Sequence, residues 1–305
     1  MVSQAFSVRV PASTSNLGSG FDTLSAALSL YLTLRVEPTR GKEIEWVQGV
    51  EPSSMFPEGD NLICKSMHST FTLLGSKPPG LRISIDSPIP LQRGLGSSAA
   101  AIIGGIKTVE SLCRVALGTE QIFEVAYPLE GHPDNLAASL LGGWVLSWVS
   151  GGRMQAERLP SALSCRFILS IPEVTISTRE ARAILPKSYS LKDVTYNLQR
   201  CALLVHALHT GQKKLLQEAT SDRLHQPFRS QLVSGIKQLL SLENLSQDLL
   251  GSLLGISISG SGSAVIALAD NHYDEIGRWM VDTLSAQGTA ATYRILDLDT
   301  AGAQV

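Results

Sequence analysis

A glycine- and serine-rich segment that runs directly into a strong helix-forming stretch constrains this chain more than any other feature. The segment reads Pro90-Leu91-Gln92-Arg93-Gly94-Leu95-Gly96-Ser97-Ser98-Ala99-Ala100. Glycines let the backbone approach a ligand closely, and serines offer hydroxyls. The first turn of a helix presents unpaired N–H groups with a positive field. The segment therefore predicts a phosphate-binding loop over residues 90–100 that opens a helix over 97–113.

The sequence on either side of this loop tests other interpretations of it. A P-loop ends in Gly-Lys-[Ser/Thr], and no lysine follows Gly96. Residues 94–99 match the dinucleotide pattern G-x-G-x-x-A, but that pattern needs a strand leading directly into the first glycine. Pro88 and Pro90 separate the loop from the strand predicted over 81–86, and no second strand is evident in 102–130. A plain glycine turn before a helix remains the simplest structural alternative.

Composition bounds the class of protein. The chain has 305 residues, of which 44% are hydrophobic and 17% charged, and this is enough for a sizeable core in two domains. The net charge of −2 argues against nucleic acid or an anionic membrane as partner. The four cysteines form no CxxC pair and are expected to be buried thiols. The start lacks the pattern of a signal peptide, and the longest apolar stretch, 140–149, is too short to span a bilayer. A cytoplasmic protein is expected.

Hydrophobic periodicity indicates strands and helices that mix without regular alternation, which favours an α+β fold in two parts. Gly151 and Gly152 mark a boundary, so the predicted domains are 1–153 and 154–305. The predicted strands are 7–10, 31–36, 81–86, 144–149, 166–171 and 292–296, with a strand–glycine–strand unit over 256–268. The predicted helices are 61–74, 97–113, 120–129 with Thr119 as its cap, a short one after Asn135, and 273–286, with a long helical region over 177–242.

Four further segments are rich in glycine and in polar side chains. They are residues 11–22, 130–135, 178–182 and 259–263. Simple structural roles exist for parts of them, since Asp22 and Asn135 could each cap a helix and residues 259–263 could form a glycine hairpin. Those roles leave unexplained four functional side chains within the six residues Glu130-Gly131-His132-Pro133-Asp134-Asn135.

Taken in order, these segments resemble the GHMP small-molecule kinase superfamily, and within it the homoserine kinases most closely. The carrying motifs are Pro-x-Ser-x-x-Asn-Leu-Gly-x-Gly-Phe-Asp from Pro11, the loop from Pro90, Glu-Gly-His-Pro-Asp-Asn from Glu130, and Ser-Gly-x-Gly from Ser259. The resemblance covers residues 7–268. The chain departs from the family in the last motif, where Ser261 and Ser263 replace alanine and proline.

The resemblance implies a fold and an activity. The N-terminal domain would resemble domain 2 of ribosomal protein S5, and the C-terminal domain would be ferredoxin-like, with the active site between them. The implied reaction transfers the γ-phosphoryl group of ATP to the side-chain hydroxyl of L-homoserine, in threonine biosynthesis. ATP and Mg²⁺ are the expected cofactors, no nucleic acid or membrane partner is expected, and a homodimer is left open.

The resemblance also implies roles for particular residues. Carboxylates are bound best by arginine, and an ammonium group is bound by a carboxylate. The expected substrate-binding residues are Asn16, Asp22, His132, Asn135, Arg182 and Arg229. For Mg²⁺, which takes few protein oxygen ligands, the expected ligands are Ser98 and Glu130, with Ser97 as the competitor of Ser98. Asp134 and Asn135 are the catalytic candidates, either as a base or by orienting the hydroxyl, since a dissociative transition state asks little of a base.

Three other functions compete with this one. The chain could be a sister kinase acting on another small alcohol, such as mevalonate or shikimate, a ligand-binding relative without activity, or a nicotinamide-dependent dehydrogenase. The arginines at 182 and 229 and the motif from Glu130 favour an amino-acid substrate, and the intact Ser98, Glu130 and Asp134 favour an active enzyme.

Overall fold

Two β-sheets organise the residues that the computed structural model describes, which are 4–41, 43–47 and 61–305. The first sheet has the strand order β3-β4-β2-β5-β6, with β1 paired to β2 beside this path. The second sheet has the order β10-β7-β9-β8. The strands are β1 (Phe6–Ser15), β2 (Leu24–Thr39), β3 (Ile44–Val47), β4 (Gly80–Asp86), β5 (Trp144–Ser150), β6 (Arg153–Leu159), β7 (Arg166–Pro172), β8 (Leu253–Ile258), β9 (Val265–Ala269) and β10 (Ala291–Leu296).

Within the part of the chain that the structure describes, four helices accompany the first sheet. They are α1 (Leu62–Leu73), α2 (Ser97–Cys113), α3 (Thr119–Glu130) and α4 (Pro133–Leu141). Helix α2 is rich in alanine and isoleucine and buried along most of its length, so it lies between α1 and the face of β1 and β2. Helix α4 also packs on β1 and β5. This packing brings the start of α2, the start of α4 and the end of β1 close together.

The end of β1 differs from its beginning in burial. Val8 and Val10 are buried while Ser7 and Arg9 are exposed, as expected of a strand with one face to the core. From Ala12 to Ser15 every residue is buried, including three hydroxyl residues in a row. Polar side chains buried in this way need hydrogen-bond partners, and these lie in the site described below.

The second sheet has the connectivity of a ferredoxin-like fold. Strands β7, β8, β9 and β10 follow one another in the chain and are arranged so that the first and third are central, with helical segments after β7 and α11 (Tyr273–Ala286) after β9. The segments between β7 and β8 are α5 (Thr178–Ala183), α6 (Leu191–Thr210), a short 3₁₀ turn, α7 (Leu216–Ala219), α8 (Gln226–Arg229), α9 (Ile236–Leu240) and α10 (Gln247–Ser252). The α+β fold and the ferredoxin-like part were correctly predicted.

Several local features differ from the expectations. Strand β6, which pairs with β5 across the turn at Gly151 and Gly152, was not predicted from the sequence. Gly118, rather than Thr119, is the cap of α3. Helix α4 begins before Asn135, with His132 as its cap, so Asn135 is not a cap. The long helical region over 177–242 is broken into several helices, of which α6 is the longest with 20 residues, and Pro186 and Gly211 lie in the breaks before and after α6.

Asp22 is not a helix cap either, because β2 follows it at Leu24. The four cysteines are unpaired, as expected, but partly exposed rather than fully buried. No helix among the described residues is long and apolar enough to cross a membrane. The start of the chain, residues 1–3, lies outside the described residues.

The division into domains 1–153 and 154–305 stays a prediction. Strand β6 belongs to the first sheet, and the C-terminal residues also return to it, because Leu298 pairs with Leu28 and Gln304 pairs with Arg9. The chain therefore passes into the second sheet and comes back.

Candidate active site

One cleft of about 260 Å³ gathers residues from all the polar segments singled out in the sequence. The end of β1, the loop before α2, the turn before α4, the start of α5 and the loop between β8 and β9 all contribute to it. Its lining residues are Ser15, Asn16, Asp22, Gln92, Gly94–Ser98, Glu130, His132, Asp134, Asn135, Ile176–Thr178, Arg182, Arg229, Gly260 and Ser261.

The loop before α2 has the backbone of an anion-binding loop. Gly94 and Gly96 have φ of 73° and 66°, a region that favours glycine, and Gln92 adopts a φ of 51°. Gly96 is the cap of α2 and has no side chain to satisfy the N–H groups of the first turn. Those donors point toward the cleft end of the helix, where the helix dipole favours negative charge.

Both glycines are also required by packing. A Cβ on Gly94 would lie 1.9 Å from the carbonyl oxygen of Ser259, and one on Gly96 would lie 2.0 Å from Oγ of Ser13. The Ser259 hydroxyl donates a hydrogen bond to the Gly94 carbonyl at 2.7 Å. The loop is therefore held between β1 and the glycine loop that follows β8.

The predicted contacts at residues 90–100 do not all reach the cleft. Gln92 and residues 94–98 line it, whereas Pro90, Leu91, Arg93, Ala99 and Ala100 do not. Arg93 turns away, because its Nε donates to the carbonyl of Pro172 at 2.7 Å. Ala99 and Ala100 are buried in the core. Nucleotide contacts by all of residues 90–100 stay predictions.

A hydroxyl and a carboxylate, the expected pair of metal ligands, meet at one side of the cleft. Oγ of Ser98 donates to Oε1 of Glu130 at 2.8 Å. Ser97 lines the cleft, but the hydroxyl beside Glu130 is that of Ser98. Burial, with a smaller contribution from Asp134, raises the pKa of Glu130 to about 7.

Asp134 and Asn135 form a hydrogen-bonded unit with β1. The side-chain amide of Asn135 donates to Oγ of Ser15 at 3.1 Å and to Oδ1 of Asp134 at 3.3 Å, and its oxygen accepts from Oγ of Ser13 at 2.9 Å. Both N–H groups of the amide are thus used within the protein. Asp134 is buried, and burial, with a smaller contribution from Asp22, raises its pKa to about 6.

The substrate-binding candidates of opposite charge are paired with each other. Nη2 of Arg182 donates to Oδ1 of Asp22 at 2.7 Å, although the two residues are 160 positions apart in the chain. About a third of each side chain is exposed. Nε of Arg182 is buried, and the described residues offer it no hydrogen-bond partner. Asn16 holds the loop, since its oxygen accepts from the N–H of Asp22 at 2.9 Å and its amide donates to the carbonyl of Gly260 at 2.7 Å.

Arg229 is more deeply placed than Arg182. It is only 3% exposed, and Nε and Nη1 donate to the carbonyls of Ala181 and Gly260. It therefore also anchors helix α5 and the glycine loop. His132 lies beside these cations, and burial together with Arg182 lowers the pKa of His132, which favours a neutral imidazole.

Some of the residues that build the site were not predicted from the sequence. Ile176 and Ser177 line the cleft, and Ser13 and Ser15 hold Asn135. The signal for Ser177 was present: it opens α5 with the capping-box pattern Ser177-Thr178-Arg179-Glu180, and both reciprocal hydrogen bonds form. No pattern predicted the partners of Asn135, because those contacts join segments 120 or more residues apart.

Comparison with known proteins identifies the class. The family model for the GHMP kinases N terminal domain matches residues 61–143. A homoserine kinase from Caldicellulosiruptor saccharolyticus is 38% identical over 301 residues, covering 98% of this chain and 96% of that protein. A homoserine kinase from Desulfitobacterium hafniense is 36% identical over 299 residues, covering 98% of this chain and 99% of that protein.

Solved structures agree with these relatives. The crystal structure of a homoserine kinase from Cytophaga hutchinsonii superimposes with a TM-score of 0.88 at 25% identity, covering 100% of this chain and 98% of that one. A crystal structure of a mevalonate kinase superimposes with a TM-score of 0.67 at 16% identity, covering 97% and 99% of the two chains, and so shares the fold alone.

The fold and the site together define a GHMP kinase. Within that class the chain belongs to the homoserine kinase family, and the predicted resemblance is confirmed.

The geometry of Gly96 leads to a prediction for nucleotide binding. In Gly96→Ala the new methyl group meets Ser13, so the loop must move away from β1, and affinity for a non-hydrolysable ATP analogue should fall at least about tenfold. Gly75→Ala is the matched control, because Gly75 also has a positive φ of 61° but no atom of the described residues lies within 4 Å of an added Cβ. It carries the same backbone strain of about 1–2 kcal/mol without touching the loop.

The measurement is a calorimetric titration of each folded variant. Equal analogue affinities for Gly96→Ala and Gly75→Ala would contradict the assignment of residues 94–98 as the phosphate-binding loop.

Proposed function

We propose that this chain transfers the γ-phosphoryl group of ATP to the side-chain hydroxyl of L-homoserine, giving O-phospho-L-homoserine. The observation that carries the proposal is the Asp22–Arg182 ion pair in a cleft beside an anion-binding loop. An amino-acid substrate brings one positive and one negative charge, and the cleft offers one partner for each. The names of the relatives support the same substrate.

Substrate binding exchanges ionic partners. The ammonium group of homoserine would replace Arg182 at the carboxylate of Asp22, and the homoserine carboxylate would take the freed guanidinium of Arg182. The unpartnered Nε of Arg182 gives that guanidinium a second donor for a bidentate contact. Arg229 has Nη2 left for the same carboxylate, since Nε and Nη1 are already engaged.

The residues expected to hold Mg²⁺ fit that ion chemically. Glu130 and Ser98 offer a carboxylate and a hydroxyl in contact, in a place where burial raises the pKa of Glu130 and the hydrogen bond from Ser98 offsets that effect only in part. A cation there would neutralise it, and two protein oxygens suit an ion that retains water and phosphate ligands. When bound, Mg²⁺ would neutralise charge on the transferring phosphate groups.

Asp134 is the group that we assign to receive the proton of the substrate hydroxyl. Its Oδ1 is engaged by Asn135, and the carboxylate lines the cleft. A pKa of about 6 leaves it ionised at neutral pH and close enough to that pH to accept a proton. The N–H groups of Asn135 are engaged by Ser15 and Asp134, so Asn135 positions Asp134, and it can contact the substrate hydroxyl only through the second lone pair of its Oδ1.

The proposed contact between Arg182 and the homoserine carboxylate predicts how the variants discriminate between substrates. In Arg182→Leu, kcat/KM for L-homoserine should fall by about 30-fold or more, because losing one arm of a partly desolvated charge pair costs about 2–5 kcal/mol. Homoserinol, which lacks the carboxylate, should be a far poorer substrate than L-homoserine for the wild type, and Arg182→Leu should narrow that difference. Arg179→Leu is the control, since Arg179 is exposed on the same helix.

The measurement is kcat/KM from ADP release, for the wild type, Arg182→Leu and Arg179→Leu, with L-homoserine and with homoserinol. Equal turnover of homoserine and homoserinol by the wild type would contradict the amino-acid substrate. A loss in Arg179→Leu as large as that in Arg182→Leu would instead assign the effect to the helix.

Substitution of Glu130 should change the Mg²⁺ requirement and leave the pH profile, and substitution of Asp134 should do the reverse. Glu130→Gln should raise the Mg²⁺ concentration needed for half-maximal turnover by about tenfold or more, since it removes the charged ligand. At saturating Mg²⁺ it should keep the acid limb of the pH profile. That limb belongs to Asp134, whose raised pKa means that activity is lost as the pH falls through about 6. Asp134→Asn should lose the limb, and about 100-fold in kcat, with an unchanged Mg²⁺ requirement.

Titrations of kcat against Mg²⁺ and against pH separate the two roles, and each variant is the control for the other. A kcat of Asp134→Asn within about threefold of wild type would show that the reaction needs no base. An unchanged Mg²⁺ requirement in Glu130→Gln would remove Glu130 from the metal site.

A further inference from the structure

A buried histidine that the mechanism above does not use lies directly behind the cleft. His225 is 0% exposed and immediately precedes α8, the helix that carries Arg229. Its Nε2 is 2.8 Å from the carbonyl oxygen of Gly18. A carbonyl oxygen only accepts hydrogen bonds, so Nε2 carries the proton.

The tautomer fixes the role of the other ring nitrogen. In the neutral imidazole Nδ1 has a lone pair, and it lies 3.4 Å from Nη1 of Arg229. His225 can therefore accept from Arg229 while it donates to Gly18. Protonation of Nδ1 would place two donors against each other.

The surroundings hold the ring in this orientation. The carboxylate of Asp222 accepts from the backbone N–H groups of Leu224, His225 and Gln226, which fixes the turn before α8. The imidazole stacks on the ring of Phe21 with centroids 5.0 Å apart and planes 19° from parallel. Both the backbone and the ring plane are thus constrained.

The two hydrogen bonds of His225 contact the segments that carry the two opposite charges of the cleft, the loop with Asp22 and the residue Arg229. Gly18 belongs to the loop of residues 16–22, which ends at Asp22, and that loop is tightly seated, since a Cβ on Gly18 would lie 1.8 Å from the carbonyl oxygen of Thr220. On the other side, Arg229 is one of the two candidate carboxylate partners. The imidazole therefore bridges the segment for the ammonium group and the residue for the carboxylate.

We propose that His225 is a positioning residue for substrate binding, which as the Nε2–H tautomer ties Arg229 to the loop carrying Asp22 and so sets the spacing between the two charged partners of the substrate. This inference rests on the proposed function, because the spacing matters only for a substrate with both charges.

The charges that face His225 are consistent with a neutral ring. Burial lowers the pKa of His225, and Arg229 lowers it as well, while Asp222, the Gly18 carbonyl and Asp22 act in the opposite direction.

Three substitutions separate the parts of this role. His225→Phe keeps a ring against Phe21 and loses both hydrogen bonds. His225→Gln keeps a donor that can reach Gly18, and His225→Asn keeps an acceptor near the place of Nδ1. His68→Phe is the control, because His68 is an exposed histidine on α1.

The readouts are KM for L-homoserine, KM for ATP, kcat and the melting temperature of each variant. His225→Phe should raise KM for L-homoserine at least about tenfold with KM for ATP within about twofold, and the Gln and Asn variants should each recover part of the loss. His68→Phe should match the wild type.

A lower melting temperature in His225→Phe with an unchanged KM for L-homoserine would overturn the inference and leave a structural role. Where the Phe variant fails to fold, the Gln and Asn variants decide, and wild-type KM values in both would overturn it. A wild type that does not phosphorylate L-homoserine overturns the proposed function, and the inference falls with it; wild-type turnover with unaffected variants overturns the inference alone.

Discussion

The ion pair between Asp22 and Arg182 is the interaction on which the proposed substrate binding in this cleft depends. It joins the loop after β1 to a short helix after β7 with an N–O distance of 2.7 Å. Ion pairs that are about a third exposed contribute little to stability, so a structural role alone explains it poorly. In the proposed function its value lies in exchange, since a zwitterion can replace each partner by the corresponding charge of its own. Asp22 and Arg182 would then each have a partner of opposite charge both before and after the substrate binds.

The rest of the site is held rigid around this exchangeable pair. Gly94 and Gly96 allow the loop before α2 to pack against β1 and the loop after β8. Ser13 and Ser15 at the buried end of β1 orient Asn135, which in turn holds Asp134. Such preorganisation matters for phosphoryl transfer, which depends on positioning and charge neutralisation more than on covalent chemistry by the protein.

The parts of this picture that the sequence predicts are the local ones. The helix over 97–113 follows from its alanine content. Its glycine-rich start follows from the close spacing of Gly94 and Gly96. The family resemblance adds the grouping of Asp22, Glu130 and Arg182, because its motifs carry spatial information that periodicity lacks. Strand β6 was missed because its alternation of polar and apolar residues covers only Arg153–Glu157, and because Met154 is its one buried residue at the edge of the sheet.

Long-range contacts account for most of what could not be predicted. The pairing of Asp22 with Arg182, the turning away of Arg93 toward Pro172 and the burial of His225 between Gly18 and Arg229 depend on how distant segments pack. In the sequence alone Arg93 belongs to the loop and favours a phosphate, and His225 is an ordinary histidine near a proline. Only the packed structure shows which polar groups are already satisfied and which are left for a ligand.

The most direct test of the central claim removes the positive charge from the substrate. Release of ADP by the wild-type protein is measured with L-homoserine and with 4-hydroxybutyrate, which keeps the hydroxyl and the carboxylate but lacks the ammonium group. If Asp22 exchanges Arg182 for that ammonium group, kcat/KM should be about 30-fold or more lower for 4-hydroxybutyrate than for L-homoserine. With 4-hydroxybutyrate, Arg182 must move to the substrate carboxylate and leave Asp22 unpaired. Turnover of 4-hydroxybutyrate within about threefold of that of L-homoserine would contradict the exchange.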